Sequence, residues 1–316
     1  MNDSPRRSER PTQPARITAR RARLRDQLGS SLLLVPAIAY IGVFFAYPLV
    51  KNVVMSTQEY TTATFYTGEA PFVGFENYTA IFTSGLFGTF LTNTFVFVIG
   101  SIVGQFCIGL ALAVFFSRRF PLNGIIRSLL LLPWLLPLVV SATLWRWMFD
   151  FDNGVVNEVI TGLGLPAVPW LVSTQTAMIA VILVNIWIGI PFNMVILYGG
   201  IKEIPPELYE AARLDGASGR QMFRHITLPM LRPVIAVVLV LGFVYTVKVL
   251  DLVLVLTQGG PANSTQILAT QAYKLSFENF NFGQGAAMGN VLILISLICG
   301  FIYLRINRAS VTGEDR

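Results

Sequence analysis

Pro205-Pro-Glu-Leu-Tyr-Glu-Ala-Ala-Arg-Leu-Asp-Gly-Ala-Ser-Gly-Arg-Gln-Met-Phe-Arg-His-Ile-Thr-Leu-Pro229 is a polar island in an apolar chain. Just before it, residues 159–201, 43 in a row, carry no Asp, Glu, Lys or Arg. The island itself is punctuated as two short helices. Pro205 and Pro206 suit the start of a helix, where a missing N–H costs nothing. Glu207 and Glu210 then place negative charge near the positive end of its dipole. Leu208, Ala211 and Ala212 share a face, and Gly216 fits a left-handed C-cap. Ser218 with Gln221 three residues on forms a capping box for a second helix, which carries Met222, Phe223 and Ile226 on its apolar side. Pro229 is expected to close that helix and open the next apolar span.

Residues 77–117 and 279–304, runs of 41 and 26, are likewise uncharged. A bilayer-spanning helix needs about 20 mainly apolar residues. Only 13% of the chain is charged, and its mean hydropathy is +0.63; soluble domains carry about 25%. The class is therefore an all-α polytopic membrane protein, with six spans expected near 30–53, 86–116, 126–148, 175–200, 230–256 and 284–305. Pro36, Pro133, Pro137 and Pro191 are expected to kink or break their spans. The membrane domain covers 30–305 with a polar loop at 203–229. It is flanked by an Arg-rich tail, 1–29, that reads as disordered, and by a tail at 306–316.

Positive charge sets the orientation. Arg residues crowd residues 1–29, Arg118, Arg119 and Arg127 follow the second span, and Lys202, Arg213, Arg220, Arg224 and Arg232 surround the island. Arg305, Arg308 and Arg316 complete that side, leaving Lys51, Arg146, Lys248 and Lys274 on the other. Both termini are thus expected in the cytoplasm, with 58–85, 150–174 and 258–283 facing outward. The basic balance needs no nucleic-acid partner, since the cytoplasmic loops account for it. The first span reads as a signal anchor rather than a cleaved signal. Cys107 and Cys299 lie within spans and read as apolar packing.

Glu210-Ala211-Ala212, three residues, Gly216, nine residues, Ile226, one residue and Leu228-Pro229 resemble the "EAA" loop of binding-protein-dependent ABC importer permeases. Phe72-Val73-Gly74-Phe75-Glu76-Asn77-Tyr78 resembles an outer-loop element of the first permease of sugar importers. So do the run from Arg127 to Pro133-Trp134 with Trp145-Arg146-Trp147, and Leu256-Thr257-Gln258-Gly259-Gly260-Pro261 followed by Asn263-Ser264-Thr265. The resemblance covers roughly 30–305 and is to maltose and glycerol-3-phosphate type permeases. It implies a type I importer permease (MetI-like) fold in the bacterial inner membrane. The implied partners are a second homologous permease, two ATP-binding-cassette ATPase subunits, an extracytoplasmic solute-binding protein and membrane lipid. It further implies that Glu210, Ala211, Ala212, Asp215, Gly216, Ile226, Leu228 and Pro229 couple the spans to an ATPase as a coupling helix.

The chain has no energy-converting motif of its own. Its four Lys follow no Gly-x4-Gly frame, so ATP and Mg are expected on the partner ATPase subunits and no cofactor or metal on this chain. His225 stands alone and makes a poor catalytic or metal centre. Ionisable groups within spans mark function by default, which nominates Lys248 and Asp251, although their i, i+3 spacing equally suits an internal salt bridge. Sugar sites favour aromatic faces with hydrogen-bonding groups, which adds Asn185, Trp187, Asn193, Tyr245 and Gln258 as pathway candidates, each aromatic also explicable as packing. The function expected is a permease subunit for a sugar or related polyol. Uptake of glycerol-3-phosphate or a glycerophosphodiester by the same machinery is the alternative. An ion-driven secondary transporter is disfavoured by the scarcity of intramembrane acids and of matching halves.

Overall fold

The computed structural model describes residues 34–67 and 69–306. The expected tails, 1–29 and 306–316, lie outside those residues except for Ile306. The chain divides after Val54 into two compact units. The first contains most of α1 (Leu34–Ser56), whose hydrogen-bond ladder widens to a π-turn over Gly42–Ala46. Pro36 falls in the first turn of the described part of this helix, and the carbonyl four residues before it lies outside the described residues.

The second unit begins with α2 (Thr62–Thr67), α3 (Glu76–Thr83), α4 (Phe87–Phe116), α5 (Asn123–Leu135), α6 (Leu138–Met148) and α7 (Val155–Gly162). It continues with α8 (Ala177–Lys202), α9 (Pro206–Leu214), α10 (Gly219–Met230), α11 (Arg232–Val247), α12 (Asp251–Leu256), α13 (Leu268–Tyr273) and α14 (Phe282–Ile306). Among the described residues, α1, α4, α8 and α14 are each long and apolar enough to cross a bilayer. The pairs α5–α6 and α10–α11, bent by 98° and 66°, complete the six-span, all-α fold.

The centre of the unit is the α4–α8 pair. Gly100, Gly104 and Gly109 on α4 face Ile182, Ile186 and Asn193 on α8, and a methyl group at Gly104 or Gly109 would strike its partner. Residue numbers rise together on both helices, so the pair is parallel. Small residues at such spacing let membrane helices approach closely, where dispersion rather than the hydrophobic effect holds them. Two apolar clusters place α11 and α12 against this pair. Phe97, Val98, Val181 and Val184 pack with Val247, Leu252 and Leu256, and Ala113, Leu197, Ile201 and Ile204 pack with Leu231 and Val238. Helix α11 therefore runs antiparallel to the central pair. Elsewhere the helices expose large apolar side chains, among them Ile99, Val103, Val237, Leu297 and Phe301. Such a surface suits lipid or another membrane helix.

Two of the expected spans deviate from a straight rod. Leu136 and Pro137 adopt extended backbone between α5 and α6, because the proline ring disfavours helical geometry in the residue before it. The expected span 230–256 ends as a helix at Val247, and Lys248 to Leu250 separate it from α12. Pro191, by contrast, leaves α8 continuous. Pro229 also sits inside α10 rather than closing it, and the bend falls at Leu231. Pro233 has no N–H to give the carbonyl four residues back, which frees the ladder at that point.

Asparagines, two of them buried, hold the connecting segments at the end of the bundle away from 205–230. Asn77 Nδ2 donates to the carbonyls of Ser56 and Gln58, at 3.0 and 2.9 Å, and Tyr78 bonds Ser56 Oγ at 2.8 Å. Asn157 accepts from the Val168 N–H and Trp170 Nε1 while donating to the carbonyls of Phe151 and Val168. Asn93 Nδ2 donates to the carbonyls of Asn263 and Gln266. Satisfied backbone and amide groups make these loops well-defined parts of the fold.

Candidate functional sites: a capped loop and a polar cavity

The 205–230 loop satisfies itself. At the end of α9 the Ala217 N–H donates to the Ala212 carbonyl at 2.8 Å and the Gly216 N–H to Arg213 at 3.1 Å, the double closure of a Schellman motif. Gly216 has φ +77°, which a residue with Cβ adopts only at a cost. Ser218 then starts α10 with the expected capping box: its Oγ accepts from the Gln221 N–H, and its own N–H donates to Gln221 Oε1 at 2.8 Å. The ladder loosens to a π-turn over Phe223–Thr227, where His225 Nδ1 lies 3.0 Å from the Gln221 carbonyl oxygen.

Two anchors tie this element to the bundle. Tyr209 and Thr227 hydroxyls meet at 2.9 Å, joining α9 to α10, and Tyr209 and Ile226 pack against the Leu197–Leu231 cluster. Nearby, Lys202 Nζ donates to the Ser117 carbonyl at 3.3 Å, and the Arg127 guanidinium lies 4.4 Å from the Tyr198 ring centroid. Of the coupling candidates, Glu210, Ala211, Asp215 and Gly216 are exposed, whereas Ala212, Ile226, Leu228 and Pro229 are half-buried. Leu214 stands 90% exposed beside them, an apolar side chain that no described residue covers.

A cavity of about 720 Å³ opens where the spans deviate. Its wall comes from Gln105 on α4, Trp134 and Leu136 at the α5–α6 break, Asn185, Gly189 and Phe192 on α8, Tyr245 and Thr246 on α11, and Lys248 to Asp251. Irregular backbone at membrane depth is tolerated where it lines a cavity, so breaks and cavity share one cause.

The polar groups of this wall are incompletely satisfied. Gln105 is buried and donates through Nε2 to the Asn185 carbonyl at 2.8 Å, while its Oε1 accepts from no described residue. The amide fits only because position 189 is glycine; a Cβ there would run into it. Asn185 is also buried, and its Nδ2 has no partner. Trp134, Phe192 and Tyr245 form an aromatic chain with ring centroids 6.0 and 5.6 Å apart. Lys248 Nζ lies 5.1 Å from the Tyr245 centroid.

The seven pathway candidates separate in space. Asn185, Tyr245, Lys248 and Asp251 line this cavity together. Trp187 does not; it packs edge-on against Trp145 at 5.5 Å. Asn193 spends its Nδ2 on the Gly189 carbonyl at 2.9 Å, bracing α8 next to Pro191. Gln258, with φ +53°, lines a second pocket of about 470 Å³ with Arg146, Asp150, Asp152 and Trp170. The salt bridge considered for Lys248 and Asp251 is absent among the described residues, because the helix breaks between them and the i, i+3 geometry is lost. Sequence reasoning missed Gln105, whose signal was available as the one glutamine in the uncharged run 77–117.

Residues 105–311 match the family described as binding-protein-dependent transport system inner membrane component. The chain is 36% identical over 291 residues to a probable ABC transporter permease of Pyrococcus horikoshii, covering 90% of this chain and 96% of that one. It is 33% identical over 282 residues to a trehalose/maltose transport system permease of Thermococcus litoralis, covering 88% and 92%. A sulfoquinovosyl glycerol permease of Agrobacterium fabrum is 34% identical over 286 residues, covering 90% and 92%. In fold it is similar to a chain of a bacterial ABC transporter that imports the acidic polysaccharide alginate. That likeness has a TM-score of 0.77 at 24% identity and covers 92% of this chain and 98% of that one.

Proposed function

The chain belongs to the family of binding-protein-dependent transport system inner membrane components, and on that premise we propose that it forms half of the membrane pathway of an ATP-driven sugar importer. In this reading it is a multi-pass subunit of the bacterial plasma membrane with both termini in the cytoplasm. A second homologous permease completes the pathway, and an external solute-binding protein delivers an oligosaccharide, disaccharide or related polyol. Two ATPase subunits bind beneath, holding ATP and Mg, and this chain performs no catalytic step itself.

The observation that carries the reading is the 205–230 loop: a doubly capped, exposed element tied to the same bundle that walls a largely apolar cavity set with a few polar groups. A short element whose backbone is closed by its own caps resists bending, so a push on it moves the bundle rather than being absorbed. Glu210 would meet a basic group of an ATPase cleft, Ala211 and Ala212 would admit a close backbone, and Leu214 would be covered on docking. The cavity offers cargo an aromatic wall and amides with open hydrogen-bonding capacity. Relatives named for trehalose/maltose and sulfoquinovosyl glycerol support a carbohydrate cargo. The test is purification in mild detergent followed by reconstitution with the binding protein. An ATPase and a second permease should co-purify, and sugar should enter vesicles only with ATP; a lone chain that transports without them overturns the proposal.

A further inference from the structure

Resting on the importer reading, we infer that Lys248 and Asp251 select an uncharged, hydroxyl-rich cargo and turn away anionic sugars. Lys248 comes from the break after α11 and Asp251 from the first turn of α12, both line the same cavity, and neither has an ion-pair partner among the described residues. Apart from the Tyr245 phenol, the residues lining that cavity carry no other ionisable group. Both side chains are exposed, and two opposite, unpaired charges persist there because the cavity admits water.

Cargo that displaces this water must replace its hydrogen bonds. The Lys248 ammonium needs acceptors and the Asp251 carboxylate needs donors. A sugar hydroxyl supplies both. The wall repeats the demand elsewhere: Asn185 Nδ2 is a donor without a partner, and Gln105 Oε1 is an open acceptor. An anionic cargo fares differently. A phosphate, sulfonate or carboxylate is attracted by Lys248 and repelled by Asp251, and at similar distances these contributions are of like size and opposite sign. The loss of the anion's own hydration then remains uncompensated. Lys248 is further stabilised over the Tyr245 ring, which weakens its need for an added anion. The pair makes the cavity neutral overall, and selection against charge follows.

The test uses the intact importer in detergent without its binding protein, so that the permease's own preference is read. Intrinsic tryptophan fluorescence, to which Trp134 in the cavity wall contributes, follows titration with maltose, trehalose and cellobiose, and with glycerol 3-phosphate, trehalose 6-phosphate and glucuronate. Wild type should bind neutral sugar in preference to every anionic probe. Asp251→Asn should raise the anionic-to-neutral binding ratio by about tenfold, the scale of one unit-charge interaction in a partly solvated site. Lys248→Met should lower that ratio. A ratio within one preparation is unaffected by loss of folded protein, so impaired folding does not mimic the result. Preference of the wild type for an anionic probe, or an unchanged ratio in Asp251→Asn, overturns the inference. If neither class of sugar binds to the intact importer or enters vesicles with ATP and binding protein present, the sugar-importer reading fails instead.

Discussion

The 205–230 loop and the α4–α8–α11 cavity handle polar groups in opposite ways. In the loop, the turn between its helices closes each cap within a few residues: Ala217 to Ala212, Gly216 to Arg213, Ser218 to Gln221 and back. In the cavity, the buried Asn185 Nδ2 has no partner among the described residues, Gln105 Oε1 accepts no hydrogen bond from them, and Lys248 and Asp251 have no ion-pair partner there. An unmade buried hydrogen bond costs about 1–3 kcal/mol, so the fold gives up stability at Asn185 and keeps it where the loop is exposed. The contrast separates a part shaped to transmit force from a part shaped to receive something.

The contrast breaks most severely if the loop loses its closure. Gly216→Pro puts a ring fixed near φ −65° where the backbone stands at +77°, and removes the N–H that meets Arg213. The local cost is about 3 kcal/mol or more. Sugar uptake should fall to background and the ATPase should no longer co-purify, while the amount of protein in the membrane is unchanged. Wild-type uptake by this variant would make the loop a mere surface anchor.

A smaller effect is expected on the cavity side. Gly189→Ala drives a methyl group into the Gln105 amide, which must swing away from the Asn185 carbonyl. Overpacking of this kind costs about 1–3 kcal/mol, to be read as a lower melting temperature of the purified complex. Uptake should fall while the ATPase still co-purifies, the reverse of the Gly216→Pro pattern. Loss of ATPase binding here would mean that the two regions are not separable.

The same contrast explains what the sequence disclosed. The loop was legible because caps are local: Pro205, Gly216, Ser218 and Gln221 each declare their role within a few residues. The spans were legible from uncharged runs, whereas the pairing of α4 with α8 was not. The cavity was not legible to the same degree, because it depends on contacts about 80 residues apart, such as Gln105 with Asn185. Asn193 and Trp187 have the right chemistry for a sugar path, yet neither lines the α4–α8–α11 cavity; one braces α8 and the other packs on Trp145. The break after Val247 was signalled only by charge, Lys248 and Asp251 interrupting the expected span. Lys248, Val249 and Leu250 include neither Gly nor Pro, so no backbone breaker marks where the helix stops.

The least disruptive perturbation tests whether the loop's stiffness itself matters. Tyr209→Phe removes one hydroxyl from the joint between α9 and α10 and keeps the ring packed beside Ile204 and Leu231. Thr227 is buried, so its hydroxyl loses a partner there, at a cost of about 1 kcal/mol. Caps, docking residues and cavity wall are all left as they were. If force passes through a rigid joint, the ATPase should still co-purify and still hydrolyse ATP, but more ATP should be consumed for each sugar taken up. If the joint is only structural, uptake and hydrolysis should change together and their ratio should hold. A steady ratio would leave the caps as the loop's contribution and place the transmission of force elsewhere in the bundle.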